Sequence, residues 1–296
     1  MGKMFDALQK LEREKIGDRQ KLQDPIPPED TILDDKLVSF FAPSSMVTEQ
    51  FRRLRTHIIK PDMSTKTKTI MITSAMPGEG KSLISINLAV IIALELHSHA
   101  LLVDCDLRNP SISRLFGLHN EKGLSNYLLG EAEIPELLVK TSVDKLAIIP
   151  GGPLQENPVE LIGSEKMKNL IKELKARYED RYIILDSSPI LATTEPAVLN
   201  QMADGIILVI KSGETARETI EQAIKSLDKK KIMGVVLNNI EFKTKALIQK
   251  HFGADHQYYD YRYARQNPDP TTWDKFGMVF KDMKMFVDKL TPWKKK

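Results

Sequence analysis

The chain has one cysteine and two tryptophans among 296 residues, and its 43 basic side chains are nearly cancelled by 40 acidic ones. Cys105 alone cannot form an internal disulfide, which agrees with a reducing compartment. Flanked by Asp104 and Asp106, it reads as small core filler. A formal net charge of +3 is too close to balance to mark the whole chain for nucleic acid, so any charge-driven partner must meet a local patch. The most apolar stretch, Ile84 to Leu96, is interrupted by Ser85, Asn87 and Glu95. No segment offers the roughly 18 apolar residues of a membrane-spanning helix. The Met1-Gly2 start carries Asp6 where a myristoylation pattern needs Ser or Thr. There is no internal repeat. What remains is ordinary soluble composition, 42% hydrophobic, enough for one large α/β domain with appendages.

Met4, Ala7, Leu8 and Leu11 share one face of a short amphipathic helix over Lys3 to Lys15. Asp24-Pro25-Ile26-Pro27-Pro28 ends it, and the chain to Ser45 reads as linker, so residues 1–45 form an N-terminal appendage. A helix is predicted over Thr48 to Ile59. Apolar runs then alternate with helical patterns, with strands at Ile70–Thr73, Ala100–Asp104, Leu146–Ile149, Tyr182–Asp186, Gly205–Ile210 and Gly234–Asn238. Such alternation predicts a mostly parallel sheet with helices on both faces, occupying residues 46–253. A tyrosine-rich tail follows over residues 254–272. From Trp273, Phe276, Val279, Phe280, Met283, Phe286, Val287 and Leu290 recur at helical spacing, which predicts a last helix from Trp273 to Leu290. Residues 273–296 carry seven lysines and three aspartates, a net of +4, so this helix could lie in an anionic membrane interface or pack on protein.

Ala75 to Ser82 read AMPGEGKS, between the first predicted strand and the helical run that opens at Leu83. Strand, glycine loop and helix make a phosphate-binding device, with Pro77, Gly78, Glu79, Gly80, Lys81, Ser82 and Leu83 around the anion. Backbone N–H groups and the helix N-terminus meet phosphate oxygens, Lys81 reaches the β/γ-phosphates, and Ser82 can hold Mg²⁺. Ala75 stands where the strict pattern has its first glycine, so the turn there must avoid positive φ. Asp104, Asp106 and Asp186 end or follow two further strands, at the sheet edge where α/β ligands bind. Mg²⁺ would take Ser82 and one or two carboxylates, Asp106 and Asp186, with phosphate oxygens and water. Asp104 and Asp106 are expected to leave their strand on one face, and either can take a proton.

AMPGEGKS, LLVDCDLRNP, IILDSSP, the upstream EQFRRLR and the tyrosine-rich tail together resemble the bacterial tyrosine kinases of polysaccharide export systems, over roughly Thr48 to Tyr263. The segment GGPLQENPVELIGS, Gly151 to Ser164, is also similar. The resemblance implies a P-loop nucleotide fold using ATP and Mg²⁺, with Lys81, Asp104 and Asp106 catalytic and Asp104 the base. It implies that Glu49, Arg52 and Arg55 contact neighbouring subunits in a ring, and that a separate membrane polysaccharide co-polymerase activates the enzyme. That places the chain in the cytoplasm, at the inner face of the plasma membrane. On residues alone, a charged triplet spaced by three is equally a solvated helix face.

Four of seven tyrosines, Tyr258, Tyr259, Tyr261 and Tyr263, crowd into six residues without apolar periodicity. Beside a nucleotide site they read as phosphoacceptors; read alone they could cover a surface patch. Two other readings compete. MinD/ParA-type ATPases share the sheet but carry a lysine five residues before the invariant one, where this chain has Met76. A nucleotide-gated scaffold would use the tyrosines only for contacts. Asn238 and Asn239 follow a core strand and fit turn capping or adenine contact.

Overall fold

A computed structural model describes residues 34–59, 67–118, 122–177, 180–241 and 276–282. Eight strands form one sheet in the order β3-β4-β2-β5-β1-β6-β7-β8. They are β1 (Thr69–Ser74), β2 (His99–Asp104), β3 (Val139–Lys140), β4 (Leu146–Ile149), β5 (Arg181–Asp186), β6 (Gly205–Lys211), β7 (Ile232–Glu241) and β8 (Phe276–Asp282). All six expected strands are present and pair in parallel, and β3 and β8 add antiparallel edges. The main helices are α1 (Met46–Ile58), α2 (Lys81–Ala93), α3 (Pro158–Gly163), α4 (Glu165–Arg177), α5 (Glu195–Met202) and α6 (Arg217–Lys225).

The strands are apolar throughout because both faces are covered. Alternation sends Ile70 and Ile72 of β1 into one core with α1 and α2, while Met71 enters the opposite core with α4, α5 and α6. Helix α2 is buried from Ile84 to Ala93, held between the sheet and Phe51, Leu54 and Ile58 of α1. That accounts for the polar-poor run read from the sequence. Ser45 caps α1 by accepting from the Thr48 N–H at 3.2 Å.

Two expectations are corrected. Residues 34–45 are packed on the domain rather than linker-like: Leu37 and Val38 are buried, and the Asp34 N–H donates to Leu115 O. Asn87, fully buried on α2, donates to Lys36 O and accepts from the Ser39 N–H, both at 2.9 Å. The terminal helix is the second correction, since Phe276–Asp282 is a strand, with Val236 opposite Phe280 and Glu241 opposite Phe276. Phe-Gly-Met-Val-Phe is short, apolar and rich in strand formers, and the free backbone edge of β7 decides its state. Over these residues an interfacial helix is not formed. The rest of that reading, with the helix at Lys3 to Lys15 and the four clustered tyrosines, lies outside the described residues.

Candidate active site

The loop after β1 bends at its glycines. Gly78 and Gly80 have φ of +80° and +93°, and Ala75 is buried without positive φ, as its side chain requires. At Gly80 the positive φ favours glycine, and a Cβ would lie 2.1 Å from Asn238 Nδ2, so that amide would have to move aside. Asn238 Nδ2 donates to Glu79 O at 2.9 Å, which assigns it to loop support. Asn239 adopts φ +56° at the register break between β7 and β8.

Glu79 differs from expectation. Its side chain is buried and turned away from the loop mouth, accepting the Met76 N–H at 2.7 Å, the Lys211 N–H at 3.3 Å and the Thr215 hydroxyl. Only its backbone N–H is left for an anion. A carboxylate inside a phosphate loop is tolerable when its charge is bound elsewhere, and that conflict is the sequence signal for the brace. Among the described residues no acceptor is found for the N–H groups of Lys81, Ser82 and Leu83, the first turn of α2. With the dipole of α2 behind them, they form an anion cradle.

Lys81 Nζ lies 2.9 Å from Asp106 Oδ2, with both side chains largely buried. Burial opposes the Lys81 charge, but Asp186, Asp106 and Asp104 outweigh it and hold the ammonium above its ordinary range. Asp104 and Asp186 are register partners on adjacent strands, both fully buried. Asp104 Oδ2 accepts the N–H groups of Ser111 at 2.9 Å and Ile112 at 3.0 Å, and Oδ1 that of Asp106 at 3.2 Å. Burial and the Asp186 charge push Asp104 up to about 8. Burial also raises Asp186 to about 6, against the pull of Lys81 and the Ser82 and Ser85 hydroxyls. The shared-face argument for Asp104 and Asp106 does not hold, because β2 ends at Asp104. A turn, in which Asp106 accepts the Asn109 N–H, returns the second carboxylate to Lys81.

Ser85 Oγ donates to Asp186 Oδ1 at 2.8 Å, while Asp186 Oδ2 is buried without a hydrogen-bond partner among the described residues. An unpaired carboxylate oxygen beside Ser82 at an anion cradle fits a hard cation with oxygen ligands. Among the described residues no three His, Cys, Asp or Glu side chains converge on one cation, so phosphate oxygens and water would complete its shell. Ser85 was not foreseen from the sequence. Its signal is a hydroxyl one turn past Lys81 within an apolar helix. Arg108, also unforeseen, donates to the buried Glu195 at 2.8 Å and ties the Asp106 turn to α5.

The oligomer residues separate. Arg52 pairs with Glu49 at 3.2 Å and donates to Pro43 O, whereas Arg55 donates to Ile91 O near the end of α2. Arg55 therefore has an intramolecular role, supplying a donor where α2 runs out of them. Cys105 is buried, and burial raises its thiol well above the usual range, in keeping with core filler.

Fold and site together define a P-loop nucleotide-binding protein. A family profile described as "AAA domain" matches residues 67–240. The tyrosine-protein kinase YwqD of Bacillus subtilis is 37% identical over 204 residues, covering 68% of this chain and 85% of that protein. The kinase domain of Escherichia coli tyrosine kinase ETK superposes with a TM-score of 0.68 at 26% identity, over 77% of this chain and 88% of that one. MinD from Pyrococcus horikoshii, solved with Mg-ADP, shares the fold with a TM-score of 0.50 at 24% identity, over 62% of this chain and 76% of that one. The chain belongs to the bacterial tyrosine-protein kinases.

Proposed function

We propose that this kinase uses ATP and Mg²⁺ to phosphorylate its own C-terminal cluster, Tyr258, Tyr259, Tyr261 and Tyr263, between neighbouring subunits, and so regulates polysaccharide assembly and export. The observation carrying this is the Lys81–Asp106 pair at the mouth of the glycine loop, with the unpaired oxygen of Asp186 behind it. The backbone of Pro77 to Leu83 and Lys81 would hold the phosphates, and Ser82, Asp106 and Asp186 the metal. Bound Mg²⁺ supplies charge neutralisation at the transferring phosphoryl group.

A phenol, with pKa near 10, needs a proton acceptor at neutral pH. Its oxygen bonds to the γ-phosphorus as the bond to the ADP oxygen breaks, and the proton passes to the Asp104/Asp106 pair. Asp106 lies beside the lysine, and Asp104 is buried behind it, held by three backbone N–H groups. Met76, 44% exposed at the loop, occupies the position of the MinD/ParA signature lysine and speaks against an ATPase switch. Glu49, Arg52 and Arg55, all half-buried on α1, are the residues offered to a second subunit in a ring. A separate membrane co-polymerase would activate the enzyme and hold it at the inner face of the membrane.

Incubation with labelled ATP and peptide mapping tests the reading. Label on the 258–263 peptide that is lost in Lys81→Met supports it. Phosphate release without labelled protein indicates an ATPase switch, and neither product leaves a scaffold.

A further inference from the structure

Asp104 is held by a second segment that lies far from it in sequence. Its Oδ2 accepts the N–H groups of Ser111 and Ile112, which directly follow Pro110. Pro110 is pressed against Gly151, just after β4: a Cβ on Gly151 would lie 2.6 Å from Pro110 Cβ and 3.5 Å from Asp104 Cγ. The proline ring is rigid, so it cannot yield without moving the two donors. Gly151 cannot retreat either. Its carbonyl accepts the Ser125 N–H at 3.0 Å, the neighbouring Pro150 O accepts the Leu124 N–H at 2.7 Å, and the Gln155 N–H donates to Leu107 O at 3.3 Å. Gly152, at φ +83°, leaves no room behind it, since a Cβ there would meet Ser125 Oγ at 2.5 Å.

We infer that Gly151 is a positioning residue for phosphoryl transfer: its bare backbone seats Pro110 so that the Ser111 and Ile112 N–H groups lock the Asp104 carboxylate in place. The inference rests on the assignment of Asp104 to the transfer step. It gives the GGPLQENP segment a role, since close packing against Pro110 demands a residue without a side chain. The phosphate loop is built on a different strand, so binding of nucleotide is left out of the effect.

The experiment is a double-mutant cycle in the full chain, following phosphotyrosine formation with Mg²⁺ and ATP, alongside titration with a fluorescent ATP analogue. Gly151→Ala should lower kcat at least tenfold while KM for ATP and analogue affinity stay within twofold. Pro110→Gly, which removes the clashing Cβ and some rigidity, should cost only a few-fold and remain well folded. The double variant should resemble Pro110→Gly alone, a strongly non-additive result. Wild-type kcat in Gly151→Ala, equal losses in kcat and analogue affinity, or additive losses in the double variant would overturn the inference. Should Gly151→Ala fail to fold, restoration of fold and kcat by Pro110→Gly supports the contact, and failure to restore them refutes it. Full activity in Asp104→Asn would instead bring down the assignment of the base. An inactive Asp104→Asn beside a fully active Gly151→Ala brings down the positioning role alone.

Discussion

Lys81 is surrounded by carboxylates, two of which have taken on unusual proton affinity. In an unfolded chain Asp104 and Asp186 would ionise near 3.8, whereas in the fold burial raises them to about 8 and about 6. Between those values the folded protein holds protons that the unfolded chain has released. Their contribution to stability is complete below the unfolded value and is lost as pH rises through about 6 and then about 8. The melting temperature of metal-free protein should therefore fall between about pH 5 and about pH 8. A flat profile by differential scanning fluorimetry would contradict the raised values, and Asp186→Asn should flatten its own share of the slope. Glu79 is the other residue whose environment sets its role. Removing its carboxylate in Glu79→Ala leaves the half-buried Met76 and Lys211 N–H groups without their acceptor, at about 1–2 kcal/mol. Thermal unfolding should register that cost, and nucleotide titration should show at least tenfold weaker binding, because the unbraced loop must order itself on the ligand.

Helix α2 gathers the loop, the metal-side hydroxyls and the N-terminal segment on one rigid body. Asn87 is the polar contact that fastens residues 36–39 to it, with two hydrogen bonds to that segment and a third to Leu83 O of α2. Asn87→Ala should cost about 2 kcal/mol and open the segment before Ser45 to limited proteolysis, an outcome readable by mass spectrometry of the first cleavage products. Unchanged protection would show that Leu37 and Val38 suffice. The interior elements were legible in the sequence because their signals are local: continuous apolar runs for β1, β2, β5 and β6, and a glycine loop between strand and helix. The edges were not. Val139–Lys140 is too short to carry a period, and Phe276–Asp282 has a spacing compatible with either helix or strand until β7 offers its open edge.

At the scale of the molecule, the sheet edge joins residues from β1, β2, β4, β5, β6 and β7 into one site, and the proposed acceptors follow β7 in the sequence. Four phosphotyrosines would add about −6 to −8 charges to a segment that must approach Asp104, Asp106 and Asp186. Phosphorylation should thus expel the tail and loosen a ring held by unmodified tails. In analytical ultracentrifugation, Lys81→Met should sediment as a larger assembly than phosphorylated wild type, the difference shrinking with added salt. Equal sizes would contradict the coupling.

From the chain alone came the class of fold, the phosphate loop with Lys81 and Ser82, the three aspartates and the tyrosine cluster, because each depends on neighbours within a few residues. Contacts across the sheet decided the rest. Glu79 became a brace, Arg55 a support for α2, Asp106 the partner of Lys81, and Gly151 the seat of Pro110, since each depends on atoms brought within 3 Å or so by strand order and not by sequence distance.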